Sequence, residues 1–270
     1  MGKSQQHPDT STPPLLRADD QGVTTLTLNR PLKFNTLNEE LLSALQTELD
    51  DIASDDSIRV VVLAANGKAY CAGHDLKEMR ATTNENYYQD LFKKCSRFML
   101  ALIQLPQPVI ARVQGISTAA GCQLVATCDM AVASDDARFA VSGINIGLFC
   151  STPSVALSRN ISRKRAFEML FTGDFIDAPT ARDWGLINDH VLESELDKRI
   201  AEICASIAAK PVVAVKTGKQ MFYKQLEKQL QEAYTYAGDT MACNMMAEDT
   251  LEGVDAFIEK RDPSWKAPSD

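Results

Sequence analysis

The sequence reads as an α/β fold with a mainly parallel sheet, continuing into a helical C-terminal region. Three observations predict this. Short β-branched or apolar runs alternate with helical segments up to about residue 150. Runs such as RVVVLA (59–64) and VIARV (109–113) are apolar without alternation, as strands buried on both faces are. Beyond about Pro153 the helical pattern continues almost unbroken to the end.

The elements follow in order. GVTTLTLN (22–29) is β-branched and alternating and reads as a strand. Asn38 is placed to cap a helix whose apolar face is Leu41, Leu42, Leu45, Leu49 and Ile52. The run 59–64 is a buried strand, and NGKAYCAGHD after it reads as a Gly-containing loop. A helix fills 85–104 and stops before Pro106 and Pro108. Residues 109–113 form a strand, Gly115 a turn, 119–127 a helix, and 130–133 and 139–141 two more short strands. Helices then cover 153–160, 163–171, 179–184, 194–208, 213–223, 228–243 and 247–260. No internal repeat is evident. The expected organisation is a disordered tail over 1–19, an α/β core over 20–190 and a helical region over 191–270 that belongs to the same functional unit.

Composition excludes several classes of function. The 270 residues, 45% of them hydrophobic, suffice for one large core. A net charge of −8 leaves no basic footprint for nucleic acid and disfavours an anionic membrane surface. No run of about 18 apolar residues offers a membrane span. The seven cysteines form no CxxC pair and lie mostly in apolar runs, which fits a reducing compartment. The three histidines are scattered, so no metal-ligand spacing arises. MGKSQQHPDTSTPP has neither an apolar core nor an Arg-rich amphipathic pattern, so a cytoplasmic, bacterial location is expected, with the mitochondrial matrix as the alternative.

Two loops carry the chemistry. KAYCAGHDLK (68–77) and QGISTAAGCQ (114–123) both run from strand through small residues to a helix start. Small residues let a ligand approach the backbone, and a helix N-terminus offers unpaired N–H groups. Two converging N-termini would make an oxyanion hole. Packing is the plain alternative, since Gly-containing strand–loop–helix units are common.

These segments resemble the crotonase, or enoyl-CoA hydratase/isomerase, family. KAYCAGHDLKEM is similar to the family block ending G-A-D-x-K-E-M, and PVIARVQGISTAAGCQLVATCDMAVAS to its second block. LNRPLKFNTLN, FTGDFIDAPTARDWGLIND and EGVDAFIEKRDPSW match further blocks in family order, from about residue 20 to 265. The resemblance implies a spiral of repeated ββα units with a C-terminal helical oligomerisation region, and a homotrimer or dimer of trimers. It implies an acyl-CoA thioester as ligand, with coenzyme A as part of the substrate and no permanently bound cofactor or metal. Carried over by position, the thioester carbonyl would sit between the backbone N–H groups of His74 and Ala120. Ala72, Gly73, His74, Asp75, Leu76 and Lys77 would line the CoA side, with Lys33 and Lys77 facing its phosphates. For each lysine, a solvated surface cation is the plain alternative. The His74 side chain is either surface or a polar group beside the thioester.

The sequence departs from the family at both catalytic glutamates. The first falls on Gln123, which can hold a water but cannot take its proton. The second, counted back from Gly147, falls on Gly143. One positioned acid or base contributes roughly 10²- to 10⁴-fold, so an ordinary hydratase is not expected. Cys150 is either a nucleophile or a buried structural thiol, and Asp129 is read as structural. TAAGCQLVA together with GLFCSTP resembles one subgroup, the enoyl-CoA hydratase domain-containing protein 3 group and its bacterial relatives. The reading is therefore an acyl-CoA protein of fatty-acid or related metabolism that stabilises a thioester enolate, as a hydratase/isomerase-like lyase or in a divergent acyl-CoA reaction. A non-catalytic acyl-CoA-binding regulatory protein is the alternative.

Overall fold

The computed structural model describes residues 12–265. Its first hairpin, β1 (Leu15–Asp20) and β2 (Val23–Leu28), is antiparallel in a register that pairs Leu15 with Leu28 and Asp20 with Val23. The hairpin corrects the expected tail: residues 15–19 are paired strand, and residues 1–11 lie outside the described residues. The LLRADD strand buries only Leu15, so it carries no alternating apolar pattern; pairing with β2 supplies its order.

The chain then winds through three similar turns. Helix α1 (Glu39–Ala53) is capped by the Asn38 side chain, which accepts from the Leu41 N–H at 3.0 Å. The first turn is β3 (Val60–Ala65), β4 (Ala69–Cys71), α2 (Leu76–Ala81) and α3 (Glu85–Gln104). The second is β5 (Val109–Val113), β6 (Ile116–Thr118) and α4 (Ala120–Thr127). The third is β7 (Met130–Ser134), β8 (Arg138–Ala140) and α5 (Ser151–Asn160). Helices α6 (Arg163–Thr172) and α7 (Ala178–Trp184) follow, with β9 (Ile176–Asp177) between them and β10 (Asp189–Val191) after.

Each turn gives its first strand to one sheet, ordered β1-β2-β3-β5-β7-β10, and its second to another, ordered β4-β6-β8-β9. Within the turns all pairings are parallel. This is the repeated ββα spiral that the family resemblance implies. The repeat is one of geometry: the strands are matched in length and burial, while any apolar residue fills them.

Both faces of the larger sheet are covered. Val61 and Leu63 face the main core with Leu41, Leu45 and Phe98. Val60, Val62, Ile110 and Val132 face the other way and meet Leu196, Ile200 and Cys204 of α8 (Glu193–Ala208). So α8 lies past the expected boundary at residue 190 yet completes the core. Three helices remain, α9 (Val212–Leu226), α10 (Leu230–Met245) and α11 (Glu248–Glu259). Asp129 anchors α9: its carboxylate accepts from Lys219 Nζ at 2.6 Å, Tyr223 OH at 2.7 Å and the Val109 N–H at 2.6 Å. The Lys219 ammonium also donates to the carbonyls of Leu102 and Gln107, so this buried charge is fully partnered. Asp129 is structural, as read.

Candidate functional site

The first loop is pinned by a neighbouring segment. Gly73 O accepts from the Leu37 N–H at 2.8 Å, and the Asp75 N–H donates to Leu37 O at 3.1 Å. In that parallel bridge the intervening His74 N–H points away from Leu37 and has no backbone partner. Gly73 has φ +89°, a conformation that favours glycine. A Cβ there would lie 2.9 Å from Ala119 Cβ and 3.3 Å from Ala120 N, so the two loops touch at this point.

The second loop meets it. Ala119 has φ +52° and ψ −121°, an uncommon conformation for a residue with a side chain, and it holds no side-chain cap for α4. Its N–H donates to Ala140 O at 3.0 Å, which leaves the Ala120 N–H as the first free donor of the helix. One residue on, Gly121 packs directly on β4: a Cβ would overlap Cys71 O and lie 2.9 Å from Cys71 Cβ. The two N–H groups assigned by resemblance therefore belong to loops in direct contact, with donors free.

Beside them lies a cavity of about 340 Å³. It is lined by Ala72, His74, Ala119 and Ala120 of the two loops and by Ser142, Gly143, Cys150, Ser151, Thr152 and Pro153 of a later segment. Leu76, Met79, Phe92, Ile146, Leu148 and Phe149 make the remainder apolar. No Asp, Glu, Lys or Arg lines it among the described residues. A larger open groove of about 800 Å³ runs along α1 and α3, but Asp50, Gln89, Lys93, Arg97 and other polar side chains wall it.

His74 is the polar group in this apolar setting. Its Nε2 is buried without a hydrogen-bond partner, and the ring meets Phe92 edge-on at 5.4 Å. Burial pushes its pKa down to about 4, so the imidazole is neutral at pH 7. Ser142, also in the lining, shares a 2.9 Å hydrogen bond with Thr118. Burial raises the Cys150 thiol above its ordinary value, against a smaller lowering by the Gly143 backbone. That is the opposite of an activated nucleophile, and it supports the structural alternative for this cysteine.

Both departures from the family take physical form here. A Cβ at Gly143 would overlap Leu148 O and come within 2.7 Å of Cys150 Sγ. The segment after it has folded into the space a carboxylate side chain would need. Gln123 is 5% exposed, its Oε1 is buried without a partner, and it is not part of the cavity lining.

The other assigned residues divide. Ala72, His74, Leu76, Ala120 and Gly143 border the cavity, and Gly73 sits at the contact between the loops. Asp75 is engaged elsewhere: it pairs with Arg30 at 3.1 Å and accepts from the Lys77 and Glu78 N–H groups as the cap of α2. Burial alone would raise its carboxyl, but Arg30 and these N–H groups hold it below the ordinary value. Lys33 and Lys77 are exposed and lie outside the cavity lining. Sequence reasoning missed Met79, Phe92 and Phe149, which read only as apolar positions of helices and loops.

The chain is similar to several known proteins. The sequence model of the enoyl-CoA hydratase/isomerase family matches residues 18–268. A crystal structure of an enoyl-CoA hydratase from Mycobacterium smegmatis is 59% identical, with a TM-score of 0.93 over 94% of this chain and 99% of its own. The human mitochondrial enoyl-CoA hydratase domain-containing protein 3 is 43% identical over 244 residues, 90% of this chain and 80% of that protein. Its crystal structure superposes with a TM-score of 0.91 over 93% of this chain and 100% of its own.

Proposed function

The chain belongs to the enoyl-CoA hydratase/isomerase family, and from that membership we propose that it binds an acyl-CoA thioester with the carbonyl between the His74 and Ala120 N–H groups. The observation that carries this is the contact of Gly73 with Ala119 and Ala120, which sets two free donors beside one apolar cavity. Such a pair stabilises the enolate oxygen that forms when a proton leaves the thioester α-carbon, and each donor contributes roughly 3 kcal/mol in the transition state. The reaction is not ordinary hydration, because Gln123 and Gly143 stand where the acid and base would be. The CoA portion lies along Ala72–Lys77, with Lys33 and Lys77 available to its phosphates.

A second reading, a non-catalytic acyl-CoA binder, is favoured by the absence of any Asp, Glu, Lys or Arg from the cavity wall. Exposed apolar residues on α10 and α11, among them Met241, Met245, Phe257 and Ile258, support assembly as a trimer or dimer of trimers. For location, the name of the human relative supports the mitochondrial alternative, and the Mycobacterium smegmatis match supports the bacterial one.

The test combines binding and turnover on the full chain. A thioester at a hundred times its Kd should stabilise the protein by about 2.7 kcal/mol; no shift with saturating butanoyl-CoA would remove the site. Loss of enoyl absorbance from trans-2-enoyl-CoA at tens of turnovers per second would reveal an acid–base pair and restore the hydratase reading. Binding without turnover leaves the divergent reaction and the binder, which a scan of 3-oxo-, malonyl- and saturated acyl-CoA thioesters for product separates.

A further inference from the structure

Helix α6 carries two phenylalanines where a surface helix normally carries polar residues. Phe167 and Phe171 are four residues apart, hence on one face, and are 60% and 51% exposed. Their rings stack at 3.9 Å with 12° between planes. Phe149, 37% exposed, packs on Phe171 at 5.2 Å. Phe149 is also part of the cavity wall. The three rings therefore form one aromatic ledge that starts inside the cavity and runs out onto the surface of α6. Contiguous exposed apolar surface of this kind marks a binding region.

The cavity volume says what reaches the ledge. At roughly 30 Å³ per heavy atom, the share of a water in the liquid, a cavity of about 340 Å³ holds about eleven atoms. With the thioester carbonyl between the loops, an acyl chain longer than roughly ten carbons extends beyond the cavity, and Phe149 joins the cavity lining to the ledge. We propose that the Phe149–Phe171–Phe167 ledge binds the distal part of a long-chain acyl group, so that the site selects long-chain thioesters. This inference rests on the thioester-binding reading. The other occupant such a ledge fits is a second copy of the chain.

The experiment measures the affinity of butanoyl-, decanoyl- and tetradecanoyl-CoA for the wild type and for Phe167→Ser/Phe171→Ser, alongside the molar mass of both by light scattering. Burial of a methylene is worth up to about fourfold in affinity. In the wild type, affinity should keep rising from decanoyl to tetradecanoyl. In the double variant that last rise should vanish, with tetradecanoyl-CoA weakened at least tenfold and butanoyl-CoA unchanged within twofold. Unchanged butanoyl-CoA binding also shows that the variant is folded. A rise that persists in the variant overturns the proposal, as does a wild type indifferent to chain length beyond ten carbons. Loss of oligomer with the chain-length dependence intact assigns the ledge to an interface between copies and overturns it as well. If butanoyl-CoA fails to bind even the wild type, it is the thioester site that has failed, and the ledge falls with it.

Discussion

One part of the cavity lining, at His74 and Ala120, offers backbone N–H groups of the two loops; another part, at Ser142 to Pro153, holds the position that the family resemblance assigns to the second carboxylate. The first is over-determined. Leu37 holds Gly73 and Asp75 on one side, Ala140 holds Ala119 on the other, and Gly121 presses on Cys71 with no room for a methyl group. The second has been rebuilt: Leu148 and Cys150 occupy the space beside Gly143. A function carried by backbone survives changes of side chain, since in the proposed role His74 would donate through the same N–H that any residue has. A function carried by carboxylates does not survive their loss. The difference separates carbonyl polarisation, which this geometry supports, from proton transfer, for which the cavity lining offers no carboxylate among the described residues.

The comparison breaks most completely if the first part is disrupted. Gly121→Val should cost about 4 kcal/mol of stability, because the added side chain must displace the β4 backbone rather than a flexible side chain. Butanoyl-CoA binding should disappear together with it. Urea unfolding checks the first part, and a loss below 1 kcal/mol would mean that the two loops are not locked together.

The 142–153 part of the lining offers the next largest effect. Gly143→Glu places a carboxylate where the family resemblance assigns one, yet Leu148 O and Cys150 Sγ already fill the space. We expect a loss of about 3 kcal/mol from overpacking and charge burial, with enoyl-thioester hydration within tenfold of the wild type. Adding Cys150→Gly relieves the contact with sulfur but leaves the one with the Leu148 carbonyl. A hundredfold gain in hydration by either variant would show that the wall is plastic and that only the carboxylate was missing.

The same division explains what was legible in the sequence. Helix α3 was readable end to end because its apolar face is periodic and Pro106 closes it. Strands β4 and β6 were not, since three residues in a Gly loop carry no alternation and are ordered by partners distant in sequence. The threefold ββα repeat was hidden because strands buried on both faces accept any apolar residue. Backbone donors leave no side-chain signature, so the His74 and Ala120 assignments came from the resemblance of whole blocks. The packing of Cys150 against Gly143 was invisible, because it depends on how the 142–150 segment folds back on itself.

The smallest effect sharpens the distinction between the His74 backbone and its side chain. His74→Leu should leave butanoyl-CoA affinity within about threefold, well below the roughly 3 kcal/mol of a lost oxyanion donor, because the N–H proposed to face the carbonyl remains. Its visible consequence should lie in stability against pH. Burial lowers the imidazole pKa from 6.5 to about 4 in the folded chain. Between those values the unfolded chain binds the proton and the folded chain does not, so stability falls as pH falls through that window. From pH 7 to pH 5 this loss amounts to about 2 kcal/mol. Carboxylates that also titrate toward the acid end are common to both proteins and drop out of the difference. The acid limb of His74→Leu should therefore be shallower by about 2 kcal/mol over that range, as read from urea midpoints at each pH. Parallel limbs would mean that the ring reaches water in the folded chain, and with it that the cavity beside the two donors is wetter than its walls imply.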